Sequence, residues 1–448
     1  MTFSLYLLTL GCDKNRVDGE IILGRFVSCG AFTPVDDPAI ADVIIVNTCG
    51  FIKEATQESI DTILEMATYK SNPDAPCRVL VITGCMSQRY KEETKKELPE
   101  ADVVYGVKDT DTIVEAVTKL LGINVPPGAS SNAISRAVAS SYVHNRHIAH
   151  IKIADGCDNA CTYCTIPSIR GAYVSRSIED ILEECKFLLE STKEFVLVAQ
   201  DTALYGIDLY KKPRLHDLIQ EIANLPGRPW VRLMYAYPEH ITQEIIQVIA
   251  KNANVCKYID MPIQHSETDI LKRMGRKSTR EGLLTLINEL RSKIPSIALR
   301  TTIMVGFPGE TPKNFNGLYN FVKEVQFDRL GVFPYSQEEG TPAAILPKQV
   351  GQTTKHNRRE KIMELQQEIH YKKQRSKIGQ TIDVMIDEIR EIDIVGRTAQ
   401  DAYEADAVVY ITTDKDDPIK PGDIVKVTIT GADEYDLMGV LASYESSK

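Results

Sequence analysis

The sequence predicts an α/β multidomain chain: an N-terminal parallel α/β sheet domain, an incomplete (β/α)6 barrel, and a small antiparallel β-barrel. Three observations predict it. Apolar runs of strand length alternate with helical periods up to about residue 337; a Pro-, Ser-, Gly- and Ala-rich stretch interrupts that alternation; and after Gly379 the period drops to two. A chain of 448 residues exceeds what one core usually holds, so two or three domains are expected.

In residues 1–125, "SLYLLTLG", "ADVIIVNT" and "CRVLVITG" have the apolar content of buried strands. Helical periods run through "VDGEIILGRFVSCG", "FIKEATQESIDTILEMATYK" and "DTIVEAVTKLLG". Continuous apolar strands alternating with helices predict a parallel sheet covered on both faces. "INVPPGASSNAISRAVASS" shows no period and reads as a linker over 126–142.

From 143 to 376 the alternation resumes with six strand candidates: "HIAHIKIADG", "EFVLVAQD", "WVRLMYAYP", "CKYIDMPI", "IALRTTIMVG" and "FDRLGVFPY". Six βα units in series suggest a partial barrel whose working site lies at the carboxyl ends of the strands, although a doubly wound sheet shows the same alternation. The basic helical segment "KHNRREKIMELQQEIHYKKQRSKIG" reads as a solvated face. Over 377–446, five short period-2 runs separated by turn signals describe the small β-barrel.

Net charge is −10, and the 16 acidic and 6 basic residues from Ile378 to Lys448 account for all of it. No apolar run approaches the roughly 18 residues of a membrane span. The amino-terminal "MTFSLYLLTLGCDKN" lacks the basic n-region and cleavage site of a signal peptide, so a cytoplasmic protein without membrane attachment is expected. Thiols stay reduced there, and ten cysteines then read as metal ligands rather than disulfides.

Cys157, Cys161 and Cys164 stand in "GCDNACTYCTIPSIRG", directly after the first barrel strand, with Gly156 opening the loop. A loop that curls round a cofactor needs short spacings and a permissive residue. Iron–sulfur clusters are usually held by four thiolates, yet no fourth cysteine lies nearby; Cys185 falls in a helical pattern and reads as packing. A zinc site completed by His150 or another residue is the alternative. A second set is dispersed: Cys12 follows "LYLLTLG", Cys49 follows "VIIVNT" and Cys85 follows "LVITG". Each stands just past a predicted parallel strand, where the strand ends of an α/β sheet converge on one crevice. Simple packing accounts for Cys29, Cys77, Cys185 and Cys256, but not for a strand-end position repeated three times.

Cys-x3-Cys-x-Tyr-Cys followed by six βα units resembles the radical S-adenosylmethionine (SAM) superfamily. Together, "LGCDKN", "NTCGFI", "GCMSQRY" and "GCDNACTYCTIPSIRG" resemble the methylthiotransferase family over essentially the whole chain. The resemblance implies an auxiliary 4Fe–4S cluster on Cys12, Cys49 and Cys85. It also implies a second 4Fe–4S cluster on Cys157, Cys161 and Cys164, with SAM on its open iron, and a C-terminal barrel of the TRAM type. One departure is Asp13, where the family pattern has proline; it affects the loop and not the ligand set. By the same resemblance Tyr163 packs against adenine, Gln200 and Asp201 meet the methionine amino group, and Arg300 precedes the adenine-contacting "MVGFPGET". "MPIQHS" puts Gln264 and His265 at the fourth strand's end. For each of these polar residues, ordering a loop is the alternative role.

The family divides between enzymes acting on an adenosine of transfer RNA and those acting on an aspartate of a small-subunit ribosomal protein. An RNA-binding module needs Lys and Arg to neutralise phosphates, whereas a barrel of net −10 attracts a basic protein. "QDTALYGIDL", "YSQEEGTPA" and "DEIREIDIVGRTAQDAYEADAVVYI" also resemble the ribosomal-protein branch. That branch implies transfer of a methylthio group to the β-carbon of the aspartate. One SAM methylates a sulfur at the auxiliary cluster, and another is cleaved to a 5′-deoxyadenosyl radical. The implied partners are the basic ribosomal protein or the small subunit, a flavodoxin- or ferredoxin-type electron donor, and a sulfur donor. Direct nucleic-acid binding is not expected to dominate. A transfer-RNA adenosine 2-methylthiotransferase is the alternative.

Overall fold

The computed structural model describes residues 2–124, 131–142, 145–412 and 418–442. The first domain holds strands β1 (Phe3–Thr9), β2 (Phe32–Pro34), β3 (Val43–Thr48), β4 (Val79–Gly84) and β5 (Val103–Val104), all parallel and ordered β2-β1-β3-β4-β5. Every residue of β3 and β4 is buried, as the continuous apolar runs require of a sheet covered on both faces. Helices α1 (Asp13–Ser28), α2 (Lys53–Ser71), α3 (Cys85–Arg89), α4 (Lys91–Glu97) and α5 (Thr110–Leu120) complete the domain. β1 lies between β2 and β3, so the strand order reverses there and opens a crevice at the carboxyl ends. β2 and β5, of three and two residues, are too short to leave a periodic signal in the sequence.

The expected linker is not uniformly irregular. Residues 132–139 form helix α6 (Asn132–Ala139), capped by the Ser131 hydroxyl. Its Arg136 is buried, 2.6 Å from Glu20 and 2.5 Å from Glu184, and so ties the first domain to the second. The pattern was masked because Ala, Ser and a paired arginine fill the buried positions. The beginning of that segment, 126–130, lies outside the described residues.

The second domain carries β6 (Ile148–Lys152), a two-residue pair β7 (Ala154–Asp155) and β8 (Val174–Ser175), then β9 (Glu194–Val198), β10 (Trp230–Leu233), β11 (Val255–Asp260), β12 (Ala298–Val305) and β13 (Arg329–Pro334). The large sheet runs β6-β9-β10-β11-β12-β13, parallel throughout. Because spatial order follows chain order without reversal, this is the partial-barrel alternative and not a doubly wound sheet. Helix α7 (Ile166–Arg170) follows the cysteine loop, and α8 (Ile178–Leu188) follows β8. The basic helix Gln352–Arg375 is only half solvated: Ile362, Leu365 and Ile369 are buried, and Arg358 pairs with Glu310 at 2.8 Å.

The third domain closes β14 (Thr381–Ile389), β15 (Ile394–Thr398), β16 (Val409–Thr412), β17 (Ile424–Ala432) and β18 (Leu437–Leu441) into a barrel. Four of its pairings are antiparallel, while β16–β18 is parallel. The β15–β16 connection enters the interior of the partial barrel. There Ala402 joins Val196, Met234 and Tyr258 in one apolar cluster. Asp406 accepts from Tyr258 Oη at 2.7 Å, and Asp401 from Arg329 Nε at 2.9 Å. Beneath them Glu194 pairs with Arg232 at 2.6 Å and with Arg397; burial opposes its charge, yet the two arginines hold it down to about 2.

Candidate functional site

The core loop is set by its backbone. Gly156 has φ +76°, and a Cβ there would stand 2.0 Å from the Ala172 oxygen, so only glycine lets the loop leave the β7–β8 clasp. Cys157 N then donates to Gly171 O at 3.1 Å and Cys164 N to Cys161 O at 3.2 Å. These bonds curl the chain so that Cys157, Cys161 and Cys164 face one another; burial pushes the Cys164 thiol up to about 12, with Cys161 and Cys157 adding to it. Ile166 N donates to Cys164 Sγ at 3.4 Å, and Tyr237 Oη lies 3.4 Å from Cys161 Sγ. Tyr163 is buried edge-on to Phe307, with ring centroids 6.5 Å apart, in an apolar wall with Ile270 and Met274.

The auxiliary set is assembled by topology. Cys12 caps α1 after β1, Cys49 follows β3, and Cys85 opens α3 after β4. Gly11 has φ +93°, and a Cβ there would lie 2.9 Å from Cys49 Sγ, so glycine allows the first loop to close on the second. Burial pushes the Cys85 thiol up to about 11, with Cys12 and Cys49 near enough to contribute. Among the described residues no three His, Cys, Asp or Glu side chains close on a point that one metal ion could occupy. Each set offers three cysteine thiols, the donor chemistry of an iron–sulfur group. His150, the alternative fourth ligand for zinc, instead faces Asp13 at 3.5 Å.

Gln200 and Asp201 do stand beside the core loop. Gln200 Nε2 donates to Asp155 Oδ1 at 3.0 Å. Asp201 Oδ2 accepts from Asn159 Nδ2 at 3.0 Å and lies 2.7 Å from His240 Nδ1. Gln200 Oε1 and Asp201 Oδ1 are buried with no partner, two acceptors suited to an ammonium group. Arg300 has a different setting: it lies 3.1 Å from Asp260 and 3.3 Å from Asp406. It lines a cavity of about 360 Å³ where the three domains meet, with Cys12, Asp13, Arg16, Tyr235 and Glu404. Gln264 sits at φ +67°, and His265 is fully buried, its Nδ1 accepting from Glu267 N at 3.0 Å. Burial pushes His265 down to about 3, which fits the loop-ordering role.

Asp13 accepts from Tyr235 Oη at 2.9 Å and joins the Cys12 loop to the barrel mouth. Sequence reasoning missed Arg170, Asp18, Lys152 and Asp155, which form one ionic group with Arg170 and Asp18 buried and Lys152 and Asp155 partly exposed. Arg170 lies inside the "TIPSIRG" motif, but nothing in its spacing points to partners in another domain. The C-terminal acidity is also partly internal, since Asp387, Asp401 and Asp406 are spent on core or barrel cations. No helix among the described residues is long and apolar enough to cross a membrane.

Comparison with known proteins follows the same division. Residues 4–106 match an uncharacterized protein family, UPF0004, residues 151–322 the radical SAM superfamily, and residues 378–441 the TRAM domain. A radical S-adenosylmethionine methyltransferase of Kitasatospora setae, TsrM, solved with cobalamin and a 4Fe–4S cluster bound, matches with a TM-score of 0.55. At 15% identity over 77% of this chain and 74% of that one, the likeness is of fold. Relatives named ribosomal protein uS12 methylthiotransferase RimO are far nearer. That of Clostridium kluyveri is 48% identical over 97% of both chains. Those of Acetivibrio thermocellus and Clostridium tetani are 44% and 43% identical over 99% of this chain, covering 99% and 98% of theirs. With both thiol sets, the partial barrel and the closed C-terminal barrel in place along that full length, the chain belongs to the RimO family of ribosomal protein uS12 methylthiotransferases.

Proposed function

We propose that the chain is a cytoplasmic radical SAM methylthiotransferase that places a methylthio group on the β-carbon of an aspartate in ribosomal protein uS12. The observation that supports this reading is that the segments bearing the two three-cysteine sets touch across one domain interface, Thr165 Oγ1 donating to Phe51 O and Arg170 Nη2 to Cys85 Sγ, each at 3.3 Å, in a chain 43–48% identical to relatives named for the reaction. Cys157, Cys161 and Cys164 would hold one 4Fe–4S cluster, and Cys12, Cys49 and Cys85 a second. Gln200 Oε1 and Asp201 Oδ1 would accept from the SAM ammonium, with Tyr163 in the adjoining wall. SAM bound to a reduced cluster supplies radical chemistry able to open an unactivated C–H bond, which no acid or base of the chain could do.

The chain's own part is placement. Asp201 fixes Asn159 of the core loop and the His240 ring together. Ile270, Met274 and Phe307 keep water from the core thiols. A one-electron donor of flavodoxin or ferredoxin type and a sulfur donor are required partners. The transfer-RNA alternative finds no support in the relatives, whose name specifies a ribosomal protein.

Intact-mass analysis of uS12 from cells with and without this chain is the test. The expected result is a methylthio group in place of one hydrogen, present only with the chain. Unmodified uS12 in both cells, with loss of a methylthiolated transfer-RNA nucleoside, would instead assign the alternative.

A further inference from the structure

We propose that Arg170 is a positioning residue that couples the two thiol sets, stabilising negative charge on the auxiliary set and keeping it in register with the core loop. The proposal rests on the reading that Cys12, Cys49 and Cys85 hold a cluster. Arg170 ends α7, six residues after Cys164, and so belongs to the core loop. Yet its Nη2 donates to Cys85 Sγ, in the other domain, at 3.3 Å. Its Nη1 donates to Asp155 Oδ1 and Oδ2 at 3.2 and 3.1 Å and lies 2.9 Å from Asp18 Oδ2.

Asp18 is on α1, the helix that Cys12 caps, and Asp155 opens the core loop and continues to Gln200. One guanidinium, 2% exposed, therefore touches an auxiliary ligand, the helix of another, and the base of the core loop. Lys152 pairs with the same two carboxylates. Two cations and two anions already balance, so a coordinated Cys85 thiolate adds a further charge, and Arg170 is the described cation bonded to it.

Donors to ligand sulfurs tune cluster potentials. One-electron reduction makes a cluster more negative, so a cation bonded to a ligand sulfur favours the reduced form, and its removal lowers the potential. Lysine keeps the charge but cannot span three partners as the planar fork does.

The full-length chain with Cys157, Cys161 and Cys164 all changed to Ala isolates the auxiliary cluster for a redox titration followed by electron paramagnetic resonance. Arg170→Met in that background is expected to make reduction about tenfold less favourable, a fall of about 59 mV for one electron. Arg170→Lys is expected to restore part of the shift. Wild-type midpoints in both variants with full iron overturn the proposal. If Arg170→Met does not load, iron lost from the auxiliary set alone in the otherwise native chain supports positioning. Iron lost from both sets overturns it, because the residue then serves general folding. A chain whose unsubstituted auxiliary set takes up no iron and sulfide refutes the underlying reading instead.

Discussion

The core thiols lie within eight residues of one loop, whereas the auxiliary thiols come from three strand ends, and their surroundings differ as much as their spacing. Around the core set the walls are aromatic and aliphatic: Tyr163, Phe307, Ile270 and Met274, with the Tyr237 hydroxyl as a polar contact. Around the auxiliary set the neighbours are ionic, with Arg170 on Cys85 and Asp13 beside Cys12. Cys157 and Cys161 are buried, while Cys12 is exposed at the three-domain cavity. The core loop is covered because the segments after β11 and β12 bring Ile270, Met274 and Phe307 over it. A site assembled from strand ends stays open at the crevice, and charged groups from the facing domain fill its border.

The sharpest break in this comparison is removal of a thiol from each side. Cys161→Ala and Cys12→Ala should each halve the iron of a chain that otherwise takes up about eight. Only Cys161→Ala should abolish release of 5′-deoxyadenosine from SAM, read by chromatography after anaerobic reduction. Equal loss of SAM cleavage in both variants would erase the distinction.

Asp201→Asn acts on one side alone. It removes the charge from a fully buried carboxylate that holds Asn159 and His240. Loss of hydrogen bonds to a charged group, roughly 1.5–3 kcal/mol, predicts SAM binding weaker by about ten- to a hundredfold. The auxiliary iron should be unchanged, and calorimetry with iron analysis reads both.

In the metal-free chain the exposed Cys12 should be alkylated first. Burial pushes Cys164 up to about 12 and Cys85 up to about 11, so little thiolate is present there near pH 8. A rate at Cys12 at least about fiftyfold above that at Cys164 is expected from peptide mass spectrometry with iodoacetamide, the lower thiolate fraction at Cys164 being offset only in part by its greater nucleophilicity. Preferential reaction at Cys164 would mean the core loop opens without its cluster.

The smallest effect belongs to the rim. Arg16 and Glu404 pair across the cavity with side chains 36% and 51% exposed, so Arg16→Ala should cost less than about 1 kcal/mol in denaturant unfolding. A larger loss would show that the auxiliary border depends on the C-terminal barrel for its stability.

Much of the fold was legible because its signals are local. All six barrel strands appear where the apolar runs stood, and the three strand ends carrying Cys12, Cys49 and Cys85 follow from strand–helix alternation. The helix at 132–139 was not legible, because its buried face is built from Ala, Ser and the ion-paired Arg136 instead of large apolar residues. Acidity in the C-terminal barrel was visible as composition, but the inward turn of Asp401 and Asp406 toward Arg329 and Arg300 was not. Arg300, read from its strand position, is committed to two carboxylates that lie 40 and 106 residues from it.

By itself the sequence determined which cysteines lie together on one loop and which stand at three strand ends, since loop spacing and strand-end position are properties of a segment and of its place in a parallel sheet. The tertiary structure alone decided what stands beside each sulfur. Arg170 reaches Cys85 across 85 positions of chain, and Tyr237 reaches Cys161 across 76. Such pairs are selected by how domains pack and by the cost of burying an unpaired charge, and neither leaves a period or a spacing to read.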